Sequence, residues 1–183
     1  LFPADVDAVL TNAAGCGSGM HEYPLWFVGE DDERAAVNFA ARTQDVSEFL
    51  IQIGLVETPA LPLAQRVAYH DACHLLHGQG ISDQPRSTLR AIPNLELVEI
   101  VESDMCCGSA GTYNLQQPAL AGELGRRKAE SILESGAQVV AMGNIGCMIQ
   151  VRNHLQAVGA PVQVLHTIEL LDLAYQGEAL PAS

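Results

Sequence analysis

Short apolar runs alternate with helix-forming segments through the second half of the sequence, and this alternation restricts the fold more than any other feature. The apolar runs have the length of strands and fall at residues 66–71, 95–100, 137–144 and 161–166. The intervening segments carry apolar residues at helical spacing and fall at residues 84–92, 117–136, 147–159 and 167–177. Such alternation is typical of βαβ units with parallel strands. The sequence therefore predicts an α/β fold with a mostly parallel sheet flanked by helices.

The first third of the sequence carries a shorter pattern of the same kind. We predict a strand at residues 7–12, a glycine-rich turn at 15–24 that leads into a short helix, and one helix over 32–55. Two prolines in the segment 56–65 mark a domain boundary. Because the sequence opens on Leu1 directly before the first predicted strand, we expect it to be a fragment of a longer protein.

One stretch of this first third repeats later in the chain. Residues 8–17, AVLTNAAGCG, align without gaps on residues 139–148, VVAMGNIGCM, and the alignment places Cys16 on Cys147. The match indicates two copies of one structural unit. The predicted domains are the end of a first copy with its connecting helix and a complete second copy, at residues 1–60 and 61–183.

Composition excludes several classes of function. The net charge is −13 and the pI is about 4.6, which argues against nucleic acid or an anionic membrane surface as a direct partner. No apolar run reaches the roughly 20 residues that a membrane-spanning helix needs. The sequence has five cysteines at uneven spacing. An odd, uneven set fits a reducing compartment and a metal or redox role better than a disulfide framework.

Four of the cysteines follow predicted strands of the second unit. Cys73 follows the first strand, the adjacent pair Cys106 and Cys107 follows the second, and Cys147 follows the third. The carboxyl ends of parallel strands meet at one edge of a sheet, where ligands of such folds bind. The four thiols can therefore converge on one metal centre. A redox dithiol and buried structural cysteines are the alternatives that the residues leave open.

Glycines and histidines accompany these cysteines. Gly108 and Gly146 lie beside them and would allow the backbone to approach a cluster and donate N–H groups to its sulfurs. His70 and His74 flank Cys73 and are candidates for a ligand or proton donor. The remaining histidines have a structural or surface interpretation: His77 lies on the helix, His166 caps or bonds a loop, and His21 and His154 lie at the surface or in packing contacts.

The cysteine motifs together resemble a known family. The strings YHDACHL, CCGSAGTYN and GNIGCMIQ are similar to those of the cysteine-rich CCG domain, and the resemblance covers residues 66–175. This domain occurs in pairs in the heterodisulfide reductase catalytic subunit, in some quinone-linked reductases and in lactate- and glycolate-oxidising complexes. Among these, the strings look most like the iron–sulfur subunit of glycolate oxidase. Residues 1–60 then correspond to the end of the first repeat.

The resemblance implies a set of ligands, with two departures from the fullest pattern of the family. Gln150 and Gly19 stand where the later Cys-x-x-Cys motif would place a second cysteine in each repeat. Four thiolates remain in the second repeat, enough for a 4Fe–4S cluster, with zinc as the alternative. Cys16 is a candidate ligand of the first repeat. No catalytic residue is assigned. The predicted metal ligands are Cys73, Cys106, Cys107 and Cys147.

The function implied by the resemblance is electron transfer within an oxidoreductase complex. Flavin-containing subunits would oxidise glycolate to glyoxylate, and this subunit would pass electrons toward the membrane quinone. We accordingly expect a cytoplasmic location, at the inner face of the cell membrane through the complex. The alternatives are the equivalent subunit of a lactate-oxidising or heterodisulfide-type complex and a zinc-stapled interaction module without redox activity. A thiol hydrolase is disfavoured because the only nearby acid, Asp71, is adjacent in sequence to His70.

Overall fold

Parallel strand pairing organises both halves of the chain. A computed structural model describes residues 6–180, and the outer ends of the two predicted domains, residues 1–5 and 181–183, lie outside it. The first half pairs β1 with β2 in parallel to form a two-stranded sheet. Its elements in chain order are β1 (Val9–Thr11), α1 (Ala14–His21), α2 (Tyr23–Trp26), α3 (Glu33–Arg42), β2 (Thr43–Asp45) and α4 (Val46–Ile53).

The second half contains a four-stranded sheet in the order β4-β3-β5-β6, and every neighbouring pair is parallel. This confirms the α/β fold with a mostly parallel sheet. The elements in chain order are β3 (Gln65–Tyr69), α5 (Cys73–Gln79), α6 (Asp83–Arg90), β4 (Leu95–Val98), α7 (Tyr113–Gln116), α8 (Pro118–Glu134), β5 (Val139–Met142), α9 (Ile145–Ala157), β6 (Gln163–His166) and α10 (Thr167–Gln176).

Helices bury both faces of the larger sheet. Along β5, Val140 and Met142 belong to one apolar cluster, whereas Val139 and Ala141 belong to a second cluster. Successive strand residues point to opposite faces, so the two clusters lie on opposite sides of the sheet. All four residues of β5 are buried, which explains its continuous apolar run. Among the helices within residues 6–180, none combines the length and the apolar character needed to cross a bilayer.

The short repeat seen in the sequence corresponds to a repeat of structure. Ala14 begins α1 after β1 as Ile145 begins α9 after β5, and β1 pairs with β2 as β5 pairs with β6. The helix that follows each pair is capped alike: the side chain of Asp45 accepts the N–H of Ser47, and that of His166 accepts the N–H of Ile168. Both halves therefore share a parallel strand pair, a helix directly after the first strand and a capped helix after the second, although α2 and α3 lengthen the connection in the first half. The domain boundary near residue 60 stays a prediction.

Two predictions about the first half were wrong. The glycine-rich segment 15–24, predicted as a turn that leads into a short helix, has no such turn at its start, because α1 already begins at Ala14 and α2 follows it. The single helix predicted over 32–55 is interrupted by β2, where buried Thr43 and Asp45 pair with β1. Tertiary strand pairing overrides a local helical pattern in this segment. Asp45 then caps α4. An aspartate before a helix is a helix-start signal, but the continuous helical pattern of the sequence concealed it.

The glycines of α1 permit close packing against α5. A Cβ atom at Gly17 would lie 2.9 Å from Cγ2 of Thr11 and 3.0 Å from Oε1 of Gln79. The Gln79 amide cannot retreat freely, because its Nε2 donates to the carbonyl oxygens of Ala14 at 2.9 Å and of His74 at 3.2 Å. The bond to Ala14 joins α5 to α1, and hence the second unit to the first, whereas the bond to His74 lies within α5 and fixes the amide.

This packing predicts opposite effects for two substitutions on one helix. Gly17→Ala should lower the free energy of unfolding by about 1 kcal/mol, because overpacking costs roughly 1–3 kcal/mol and outweighs the helix propensity gained. Gly19→Ala is the matched control, because its Cβ would meet nothing within 4 Å. It should raise stability by about 0.5–1 kcal/mol. Urea unfolding measures both changes, and equal shifts in one direction would contradict the proposed close contact.

Candidate metal centre

The ends of three neighbouring strands position four cysteines. Cys73 is the first residue of α5, which follows β3. Cys106 and Cys107 lie in the loop after β4, and Cys147 is the third residue of α9, which follows β5. Because β4, β3 and β5 are adjacent and parallel, their carboxyl ends share one edge of the sheet. The structure thus brings together the four cysteines that the sequence singled out, and all of them are free thiols.

The four thiols interact as a chain, Cys73 with Cys106, Cys106 with Cys107, and Cys107 with Cys147. The contact with Cys107 lowers the pKa of Cys106 and also lowers the pKa of Cys147. The contact with Cys106 raises the pKa of Cys73 and of Cys107, and burial adds to both increases. A bound cation would favour ionisation of all four thiols.

N–H groups from the surrounding backbone and side chains point at the sulfurs. The backbone N–H of Gly108 donates to Sγ of Cys106 at 3.3 Å, and Nδ2 of Asn144 donates to Sγ of Cys147 at 3.3 Å. Cys147 also lies in the first turn of α9, where the helix dipole favours negative charge. Such donors stabilise thiolates and adjust the properties of a thiolate-bound metal.

His70 supplies a nitrogen to the same place. One ring nitrogen of His70 and the sulfurs of Cys107 and Cys147 all lie within 4.8 Å of one another. Nδ1 lies 3.1 Å from the carbonyl oxygen of Ser103. A carbonyl only accepts, so Nδ1 carries the proton, and Nε2 of the neutral ring keeps a lone pair. His70 is fully buried, and Nε2 has no hydrogen-bond partner among the residues that the structure describes.

The other candidates occupy different positions. Nδ1 of His74 lies 3.4 Å from Sγ of Cys73, whereas His77 is exposed. His166 has the structural role expected, since it caps α10 and its Nε2 donates to the carbonyl of Asn12 at 2.8 Å. Cys16 lies on the exposed side of α1. Within residues 6–180, no hydrogen bond or close cluster of ligand atoms joins Cys16 to the other cysteines.

The two glycines named from the sequence have distinct steric roles. Gly108 has a φ of 88°, and a Cβ there would overlap the carbonyl oxygen of Ala121 on α8. Gly146 lies beside the loop, where a Cβ would be 3.3 Å from Oγ of Ser109. Gln150, at the position of the missing cysteine, donates to the same Ala121 carbonyl at 3.2 Å. The turn that carries Cys106 and Cys107 therefore packs directly against α8.

A polar network under the cysteine loop was not predicted. The carbonyl oxygen of Ser103 accepts Nδ1 of His70, the backbone N–H of Asp71 at 3.1 Å and Nζ of Lys128 at 3.3 Å. Asp71 is itself buried and forms a bidentate pair with Arg86, with N–O distances of 2.6 and 2.7 Å. The sequence does not indicate which backbone carbonyl acts as an acceptor. The one feature of the sequence that could have indicated this network is Lys128, a lysine at a core position of an amphipathic helix.

The donor set fits a metal centre with sulfur ligands. Four free thiols come from three segments, and two of them, Cys107 and Cys147, lie beside a buried imidazole nitrogen that has no hydrogen-bond partner among the described residues. Thiolate and imidazole ligands suit iron–sulfur clusters and zinc, whereas magnesium and calcium require oxygen ligands. Asp71, the acid considered for orienting a Cys–His nucleophile, is paired with Arg86 instead.

Comparisons with known proteins agree with this pattern. The family profile named CCG, the cysteine-rich domain, matches residues 67–152. The chain is 31% identical over 170 residues to lactate utilization protein A of Geobacillus thermodenitrificans, covering 92% of the chain and 71% of that protein. It is 33% identical over 172 residues to the probable glycolate oxidase iron–sulfur subunit of Bacillus subtilis, covering 91% and 38%.

A third relative is one of the subunits of the fumarate reductase (CoM/CoB) of Methanothermobacter marburgensis, to which the chain is 35% identical over 174 residues. This match covers 94% of the chain and 33% of that relative. The chain thus spans about a third of the length of some relatives and most of the length of others. The three identities differ by only a few percentage points, so identity alone does not select among the three names.

The position of Gly108 predicts a specific defect in the cysteine turn. Gly108→Ala should lower the free energy of unfolding of the metal-free protein by roughly 1–3 kcal/mol, because the new methyl group meets backbone that cannot rotate away. Gly111→Ala is the control, since Gly111 also has a positive φ, 51°, but its Cβ would meet nothing within 4 Å. Thermal unfolding would measure both. A defect of equal size in the two variants would assign the effect to backbone strain alone.

Proposed function

The chain belongs to the family of proteins with the cysteine-rich CCG domain, and on that premise we propose that it is an iron–sulfur electron-transfer subunit of an oxidoreductase complex. The observation that carries the proposal is the meeting of four free thiols from three strand ends at one edge of the sheet. The name of the Bacillus subtilis relative, an iron–sulfur subunit, supports it.

Cys73, Cys106, Cys107 and Cys147 would hold a 4Fe–4S cluster in the proposed site. When bound, such a cluster accepts and releases one electron at a time. The N–H donors of Gly108 and Asn144 would stabilise the negative charge on the ligand sulfurs. Burial of Cys107 and Cys147 would exclude water from one side of the site, whereas the partial exposure of Cys73 and Cys106 would leave a route for electrons to a partner.

His70 and His74 would act beside these ligands. His70 Nε2 would face the sulfurs with its lone pair, held in that tautomer by the bond from Nδ1 to Ser103. His74 would contact Cys73 through Nδ1. Cys16 would serve the first repeat, because it occupies in α1 the place that Cys147 occupies in α9. None of these residues is proposed to break a bond in an organic substrate.

For the whole complex we favour glycolate as the substrate. Its oxidation to glyoxylate releases two electrons and two protons, which the flavin of a partner subunit would accept. The electrons would then pass singly through this subunit toward the membrane quinone, with the complex at the inner face of the cell membrane. The name of the Bacillus subtilis relative supports glycolate, and the name of the Geobacillus relative supports lactate, another 2-hydroxy acid.

Zinc is the second candidate, and one observation favours it. The group of ligand atoms that lie within 4.8 Å of one another contains one nitrogen and two sulfurs, from His70, Cys107 and Cys147. Nitrogen and sulfur ligands in tetrahedral arrangement are typical of structural zinc. A zinc centre would stabilise the loop after β4 and present a docking surface, without transferring electrons.

Metal and sulfide content after anaerobic purification separates these two functions. We expect iron with a similar amount of acid-labile sulfide in the wild-type protein and loss of both in Cys107→Ser, because this buried thiol contacts two other ligands. Cys16→Ser is the matched control: it removes an exposed thiol from an equivalent helix position and should retain the second-repeat cluster. Zinc without sulfide in the wild-type protein would replace the electron-transfer proposal with the zinc-stapled module.

The substrate proposal has its own test. The full-length protein is combined with its flavin-containing partners, and the rate of cluster reduction is followed in the visible spectrum after glycolate or lactate is added. Glycolate should reduce the cluster at least tenfold faster at equal concentration, a ratio that corresponds to about 1.4 kcal/mol in the barrier. Faster reduction by lactate would transfer the assignment to a lactate-oxidising complex and leave the electron-transfer role unchanged.

A further inference from the structure

Lys128 is the only lysine in the sequence, and it is fully buried. It lies on α8 in the same stripe as Ala121, Gly125 and Ile132, which are buried core positions. Fully buried lysines are rare because removing an ammonium group from water is costly unless an opposite charge is nearby. The position therefore requires a compensating interaction.

The hydrogen bonds of Lys128 do not provide an opposite charge. Its Nζ donates to the carbonyl oxygens of Glu102 and Ser103. No carboxylate of residues 6–180 forms a salt bridge with it, and the Glu102 carboxylate pairs with exposed Arg127 instead. Two carbonyl dipoles satisfy donors but leave a net positive charge in the interior.

The cysteine centre is a source of negative charge for Lys128. Burial lowers the pKa of Lys128, and the Cys107 thiol opposes this change, followed by Asp104, Glu102 and Asp71. The Ser103 carbonyl that accepts from Nζ also accepts from Nδ1 of His70, whose ring lies beside the sulfurs of Cys107 and Cys147. The ammonium group is therefore linked to His70 through one shared carbonyl oxygen, and His70 in turn lies beside the cysteine centre.

The conformation of the loop depends on the same contact. Glu102 has a φ of 56°, which is unfavourable for a residue with a side chain. The bond from Lys128 to the Glu102 carbonyl holds this turn, and the next residue, Ser103, presents its carbonyl to His70 and to the Asp71 backbone. Lys128 thus fixes the carbonyl that orients His70.

From this geometry we infer that Lys128 is a positioning residue of the metal centre: its buried ammonium group compensates the negative charge of the cysteine ligands and holds the Glu102–Ser103 turn. The inference rests on the proposed function, because it assumes that the four cysteines bind the cluster. Adding an electron to a centre of negative charge is easier when a positive charge is buried close to it. Lys128 therefore raises the reduction potential of the centre.

The test compares charge and hydrogen bonding separately. Lys128→Gln keeps a donor and removes the charge, whereas Lys128→Met removes both. We expect a more negative midpoint potential than wild type in both variants, measured by optical redox titration of the anaerobically purified protein. Arg127→Gln is the matched control, since it removes an exposed positive charge from the neighbouring position of α8. Solvent screens that charge, so its potential should equal that of wild type.

A midpoint potential equal to that of wild type in Lys128→Gln would overturn the inference. If the neutral variants lose iron, Lys128→Arg should restore it, and a folded arginine variant that stays empty would also overturn the inference. In the metal-free protein Lys128→Gln should unfold near the wild-type temperature, because glutamine keeps a donor for the Glu102–Ser103 turn, whereas Lys128→Met should unfold at a lower temperature. Failure of both to fold without metal would assign Lys128 to the fold alone. A wild-type protein without iron would instead refute the proposed function.

Discussion

Parallel pairing of β3 with both β4 and β5 is the constraint on which the rest of the structure depends. It places the residues that follow three strands at one edge, and the backbone N–H of His70 extends the pairing by donating to the Ala141 carbonyl at 3.0 Å. Each cysteine then needs only a short loop or a helix start to reach its neighbours. No long-range loop closure is required beyond that which forms the sheet, so the site is assembled largely by the fold itself.

The fold of the second unit could be predicted from sequence because its local signals agree. Its apolar runs, its helical periodicity and its punctuation by glycine and proline all specify the same elements. The predictions for the first unit were wrong where these local signals conflict. The segment around Thr43 has a helical pattern but pairs as a strand, and the glycines of α1 resemble a turn although they serve close packing against α5.

The candidate site was predictable to the same degree and for a physical reason. Strand ends locate Cys73 and Cys147, so their common edge follows from the order of elements, although their role as ligands stays a prediction. The tautomer of His70 and the contacts of Lys128 depend on the carbonyl of Ser103. Every residue has such a carbonyl, and only the three-dimensional turn determines which one accepts three donors. Lys128 itself was visible as a lysine in a core stripe.

Burying negative charge at this site is energetically costly. N–H donors, the start of one helix and one buried cation lower that cost. A crystal structure of the anaerobically purified protein, with anomalous scattering recorded at the iron edge, tests the central claim most directly. We expect an iron peak bounded by Sγ of Cys73, Cys106, Cys107 and Cys147. An ordered crystal with these four sulfurs free of metal, or with iron bound elsewhere, would contradict the claim.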